Sequence, residues 1–223
     1  MTQQLTFDLP AKTALGRSDF FVSAANEVAV QALEHWQGWP SGKLLIAGPE
    51  GSGKSHLAQV WADLAGATLL DDIKGLVDGH VAIDGLEHIA GDPAREEALF
   101  HLHNHVLAAG NRLLITSRCE PARLDFTLPD LQSRMLGTQL IKLDAPDETL
   151  LTAVMAKLFD DRQVNISPAV ISYATTRLDR TFAAVHALVA KLDALSLERA
   201  KPISRQMVAE ILETTEEPSD ELS

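Results

Sequence analysis

The sequence predicts an α/β domain, with a parallel sheet covered by helices on both faces, followed by a small all-helical domain. Three observations carry that prediction. Short apolar runs alternate with helical segments, the pattern of buried parallel strands joined by crossover helices. One of those runs leads into a glycine-rich loop that opens a helix. After Pro146 the strands stop and only helical periodicity remains.

In chain order, residues 1–17 read as a flexible arm, polar, broken by Pro10 and Gly16, and too short to bury a face. Residues 18–145 form the α/β domain. Its first helix, AANEVAVQALEHW, has Ser23 as its cap and sets Val28, Ala32 and Trp36 on one face. KLLIAG is then a strand, KSHLAQVWADLA a helix, ATLLD and HVAID strands, PAREEALFHLHNHVLAAG a helix, and RLLITS a strand. QLIKLDAP closes the domain. Residues 146–214 hold three helical segments: DETLLTAVMAKLFDDR, SPAVISYATTR together with FAAVHALVAKLDALSLERA, and SRQMVAEILETT. Residues 215–223 read as a disordered acidic tail, since six acids lie in AEILETTEEPSDELS.

Composition narrows the function classes. The 223 residues are 46% apolar and 22% charged, with mean hydropathy near zero, as in ordinary globular proteins. No apolar run approaches the roughly 20 residues of a membrane helix, and MTQQLTFDLPAK lacks the pattern of a secretory signal. The single Cys119 excludes an internal disulfide, and the expected location is cytoplasmic. Nineteen Lys and Arg against 31 Asp and Glu give a net charge of −12, which disfavours general binding to a phosphate backbone.

GPEGSGKS, Gly48 to Ser55, matches G-x-x-x-x-G-K-[ST] in full, after a strand and opening a helix. Gly48, Pro49, Gly51, Ser52, Gly53 and His56 shape or border a phosphate cradle of backbone N–H groups. Lys54 reaches the terminal phosphates and Ser55 ligates magnesium. Asp84, ending the strand HVAID, is the outer magnesium ligand; the alternative is a turn residue at a strand end. Thr116 and Ser117, ending RLLITS, offer hydroxyls to the terminal phosphate.

FFVSAANEVAV, GPEGSGKSHL, AIDGLEHI, LLITSR and LPDLQSRM together resemble the ATPase module of the DnaA-type replication initiators, within the AAA+ superfamily. The resemblance covers residues 20 to 214. It implies a five-stranded parallel sheet with a helical lid, ADP or ATP with Mg2+ as cofactor, and an adenine pocket near Phe21, Val22 and Asn26. It also makes Arg134 an arginine finger that completes a neighbouring subunit's site; the alternative is a solvated helix arginine paired with Asp130. Without a helix-turn-helix segment after the lid, the expectation is an Hda-like regulatory homologue with no sequence-specific DNA binding of its own. Such homologues dock on the DNA polymerase sliding clamp through an N-terminal peptide, here QLTFDL, with Gln4, Leu5, Phe7 and Leu9 as contacts. The expected partners are the clamp and a DnaA-type initiator, with self-association left open and no membrane.

Two positions depart from the family pattern. Gly85 stands where many such ATPases carry a second acid, and Ala183 where the lid has a phosphate-sensing arginine, with Arg180 nearby. A protein that binds nucleotide without cleaving it efficiently can use it to fix its shape and activate a partner. The competing functions are an autonomous ATPase that loads or remodels a replication partner, and a nucleotide-supported module that delivers a partner to the clamp. Four other signals read as structural. His101, His103 and His105 lack a third ligand or an intervening Glu and read as partly exposed helix histidines, with zinc the alternative. Cys119, Trp36 and Trp39 read as packing residues.

Overall fold

The computed structural model describes residues 21–216, with side chains through Glu213. The arm residues Gln4, Leu5, Phe7 and Leu9 and the tail from residue 217 lie outside the described residues. The chain divides into two compact units at Ala145 and Pro146.

The first unit holds five parallel strands: β1 (Lys43–Ala47), β2 (Thr68–Leu70), β3 (Val81–Ile83), β4 (Leu113–Ser117) and β5 (Gln139–Lys142). They lie in the order β2-β3-β4-β1-β5. The five-stranded parallel sheet flanked by helices is as expected. Strands buried on both faces explain the apolar runs, because successive side chains point to opposite sides. Leu44 and Ile46 enter one core with Ala82, Leu114 and Ile141, under α1 (Glu27–Glu34) and α2 (Lys54–Ala65). Leu45 and Ala47 enter the other with Val81, Ile83, Leu113 and Ile115, under α3 (Pro93–Ala108) and α4 (Pro129–Leu136). Each fully buried Leu or Ile contributes about 1.5–3 kcal/mol by leaving water.

The start of the unit corrects the sequence reading. α1 begins at Glu27 with Asn26 at its N-cap, while the Ser23 hydroxyl accepts a hydrogen bond from Ala25 N in a preceding turn. The buried face is Ala29, Val30 and Leu33, and Val28 is 65% exposed. The period was legible but its phase was not, because the sheet chooses which stripe it covers. Trp36 follows in a separate 3-10 turn, edge-on to Trp61 at 6.2 Å, and Trp39 stacks on Trp61 at 5.0 Å. Trp39 and Trp61 belong to the core and Trp36 packs against it partly buried, so Trp36 and Trp39 are packing residues as read from the sequence.

The second unit is four helices, α5 (Glu148–Asp161), α6 (Pro168–Thr175), α7 (Phe182–Arg199) and α8 (Arg205–Glu216), around one core that includes Leu151, Phe159, Ile171, Val189 and Val208. The segment read as one helical piece is two helices: α6 ends at Thr175, and Thr181 caps α7 by accepting from Ala184 N. α8 runs through Glu216, so residues 215 and 216 belong to the helix and not to the tail.

Candidate functional site

Ligands of open α/β sheets sit at the carboxyl ends of the strands. Three of the residues singled out from the sequence stand there: Gly48 after β1, Asp84 after β3 and Ser117 at the end of β4. Gly48 N donates to the Ser117 carbonyl at 3.1 Å, tying the start of the loop to β4. A Cβ at Gly48 would lie 2.2 Å from the Leu143 carbonyl oxygen, so only glycine fits where the loop leaves the strand. The loop then turns through the positive φ of Gly51 and Gly53 into α2.

α2 starts at Lys54 without a side-chain cap, which leaves its first N–H groups facing the loop. That end carries the favourable dipole for an anion. Lys54 is 8% exposed; its Nζ donates to the Pro49 carbonyl at 2.6 Å and lies 3.4 Å from Ser52 Oγ. Burial lowers its pKa, opposed by the carboxylates of Glu87, Asp84 and Glu50 and assisted by Arg118. A buried ammonium resting on one carbonyl and one hydroxyl, beside an uncapped helix start, fits a phosphate group. Ser55, Pro49 and His56 are exposed at the same place. Ser55 and Asp84 would hold the magnesium that such a phosphate carries, which would supply charge neutralisation.

Asp84 is fixed by a relay. Thr116 Oγ1 donates to Asp84 Oδ1 at 2.5 Å and accepts from Gly85 N at 3.0 Å. The hydroxyl that reaches Asp84 is therefore Thr116, and the Ser117 side chain is buried, its Oγ 3.4 Å from Cys119 N. Strand alternation places the two on opposite faces, which a sequence run of two hydroxyls does not resolve. Asn26, expected near a base, has its amide committed: Oδ1 accepts from Ser23 N at 2.8 Å and Nδ2 donates to the Phe21 carbonyl at 2.9 Å. It shapes the Phe21–Ser23 segment, while Val22 packs against the core.

Arg134 lies on α4. Its guanidinium sits 4.8 Å from the Phe100 ring centre, and among the described residues it forms no ion pair; Asp130 does not hold it. Its carbonyl accepts from buried Lys43 Nζ and from Thr138 Oγ1, both at 2.8 Å. Lys43 in turn lies 3.4 Å from His103 Nε2. The start of α4 hangs on Glu96, which is fully buried and accepts from Gly91 N, Thr127 N, Thr127 Oγ1 and Leu128 N. Lys43, Glu96 and Phe100 were not singled out from the sequence. Nothing there separates Glu96 from its exposed neighbour Glu97.

The three α3 histidines do not converge. His101 pairs with Glu97 at 3.7 Å, His105 with Asp78 at 2.8 Å, and His103 is 2% exposed. His103 thus departs from the partly exposed reading; burial and then the Lys43 charge lower its pKa to about 4. Among the described residues no group of three such ligands could hold a metal ion. In the second unit, Arg180 and Ala183 are exposed around the start of α7. No described helix is long and apolar enough to cross a membrane.

No protein-family model matches the sequence. Among solved structures, domain III of the Thermotoga maritima replication initiation protein DnaA aligns with a TM-score of 0.78 at 18% identity, over 94% of this chain and 99% of that one. AMPPCP-bound DnaA from Aquifex aeolicus aligns at 0.70 and 17% identity, over 93% of this chain and 71% of that one. The Thermotoga maritima RuvB Holliday junction branch migration motor aligns at 0.65 and 21%, over 85% and 68%. This chain has the AAA+ fold.

Proposed function

We propose that this protein is an Hda-like regulator of replication initiation. It binds ADP or ATP with Mg2+ through Gly48–Ser55 and Asp84, docks on the DNA polymerase sliding clamp through Gln4–Leu9, and stimulates ATP hydrolysis by a DnaA-type initiator. Its likeness to nucleotide-bound DnaA supports the nucleotide part of this reading. The observation that carries the activating role is Arg134: a guanidinium on an aromatic ring, with no carboxylate among the described residues to neutralise it. Such a cation is available to charge that develops on a phosphate in another subunit. An arginine supplied in this way accelerates hydrolysis by roughly 10³ to 10⁵.

The test is ATP turnover by the initiator, measured with and without clamp loaded on DNA. Stimulation should require the clamp and vanish with Arg134→Ala, while nucleotide binding, clamp binding and thermal stability stay nearly unchanged. Lys at position 134 should rescue poorly, lacking the planar fork. Undiminished stimulation by Arg134→Ala would remove the activating role and leave delivery to the clamp as the better reading. Deletion of residues 1–10 tests the clamp contact separately, and retention of clamp at full affinity would refute it.

A further inference from the structure

An acid at position 85 would be strained by the backbone and would have to push aside the exposed His88 ring. Gly85 has φ +90°, and a Cβ there would stand 2.6 Å from His88 Cδ2. The chain instead makes a 3-10 turn at Leu86–His88, which carries an acid two residues later. Glu87 has a side chain only 16% exposed, and it lies against Arg118. Its Oε1 lies 3.1 Å from Arg118 Nε and 3.9 Å from His88 Nε2, and its Oε2 accepts from Arg118 N at 3.0 Å. Arg118 Nη1 reaches Glu50 Oε2, inside the loop itself, at 3.4 Å. Of the charged groups acting on the Lys54 ammonium, Glu87 acts most strongly, ahead of Asp84. One arginine thus ties together two carboxylates beside the lysine that defines the phosphate site.

We propose that Glu87 does the work of the acid missing at position 85, aligning water for attack on the terminal phosphate of a nucleoside triphosphate, and that its ion pair with Arg118 holds it out of use. This rests on the nucleotide-binding reading above. Released from Arg118, Glu87 accepts the proton that water loses as its oxygen bonds to the γ-phosphorus. The bond from that phosphorus to the bridging oxygen breaks, and its electron pair leaves with the diphosphate. A positioned carboxylate base contributes roughly 10²- to 10⁴-fold. The pairing predicts slow turnover by a different route than a simple loss of the acid: the group is present and restrained.

The full-length protein tests this with two readouts, ATP turnover alone and equilibrium affinity for AMPPCP and ADP by competition with a fluorescent ADP analogue. Arg118→Ala should raise turnover at saturating ATP by about tenfold or more, and Arg118→Ala with Glu87→Gln should lose that gain. Independently of hydrolysis, Arg118→Ala should weaken AMPPCP about tenfold relative to ADP, because Glu87 then repels the third phosphate uncompensated. The added Glu87→Gln should restore the ratio. Arg118→Gln carries the same expectations should the alanine variant be unstable. Unchanged or reduced turnover in Arg118→Ala overturns the proposal, as does a gain that survives Glu87→Gln or an AMPPCP-to-ADP ratio equal in the single and double variants. Failure of the wild-type protein to bind ADP would sink the nucleotide reading and this one with it; Lys54-dependent ADP binding with those outcomes would sink this one alone.

Discussion

Replacing Glu96 by Gln tests what holds the start of α4, and through it the helix that carries Arg134. The carboxylate is wholly buried, and four donors converge on it: Gly91 N at 2.7 Å, Thr127 N at 2.9 Å, Thr127 Oγ1 at 2.9 Å and Leu128 N at 2.7 Å. Gln keeps one accepting oxygen and turns an NH2 on the donors that faced the other. At least one backbone N–H is then left without a partner in a dry site. Hydrogen bonds to a charged group are worth about 1.5–3 kcal/mol, and a stranded buried donor costs about 1–3 kcal/mol. The expected loss is about 3–4 kcal/mol. Urea denaturation followed by tryptophan fluorescence reads it cleanly, because Trp36, Trp39 and Trp61 all belong to the first unit. Burial alone would raise the Glu96 pKa, but the N–H groups of Thr127, Gly91 and Leu128 and the Thr127 hydroxyl hold it below its ordinary value of 4.5. Its contribution is therefore complete above pH 4.5 and drains away as pH falls below that. The gap between wild type and variant should narrow in the same window. A loss under about 1 kcal/mol, or a gap that stays constant in acid, would refute the reasoning.

Two further outcomes follow from the group beneath Arg134. His103, with its pKa lowered to about 4 from 6.5, stabilises fully above pH 6.5 and loses that contribution as pH falls toward 4; His103→Gln should flatten this limb of the stability curve, followed by the same denaturation. Lys43→Met removes the ammonium that holds the Arg134 carbonyl at 2.8 Å. Amide exchange around residues 134–138 should then quicken by about tenfold, while affinity for ADP stays within about twofold; unchanged exchange would assign Lys43 no part in fixing α4.

How much of this was legible in the sequence depends on the range of the interaction. The turn from β1 into α2 was readable because its parts are contiguous: Gly48, Lys54 and Ser55 lie in one turn and the helix start that follows it. The apolar strands were readable because burial on both faces leaves no polar alternation. Even in such cases the phase escaped, as at Val28, since a helix fixes the spacing of a stripe and the sheet decides which stripe it covers. The long-range partners of the polar and charged groups were not readable. Thr116 meets Asp84 across 32 positions, Glu96 meets Leu128 across 32, His103 meets Lys43 across 60, and Lys43 meets Arg134 across 91.

Local sequence thus determined the element types, the loop and the class of fold, because backbone hydrogen bonding imposes periods of about 3.6 and 2 residues that side chains must follow. Only the tertiary structure decided which Glu is buried, which hydroxyl reaches Asp84, and that Glu87 lies against Arg118. In a parallel sheet each strand end returns to the same edge after a long crossover, so the groups gathered there are chosen by strand order rather than by spacing along the chain.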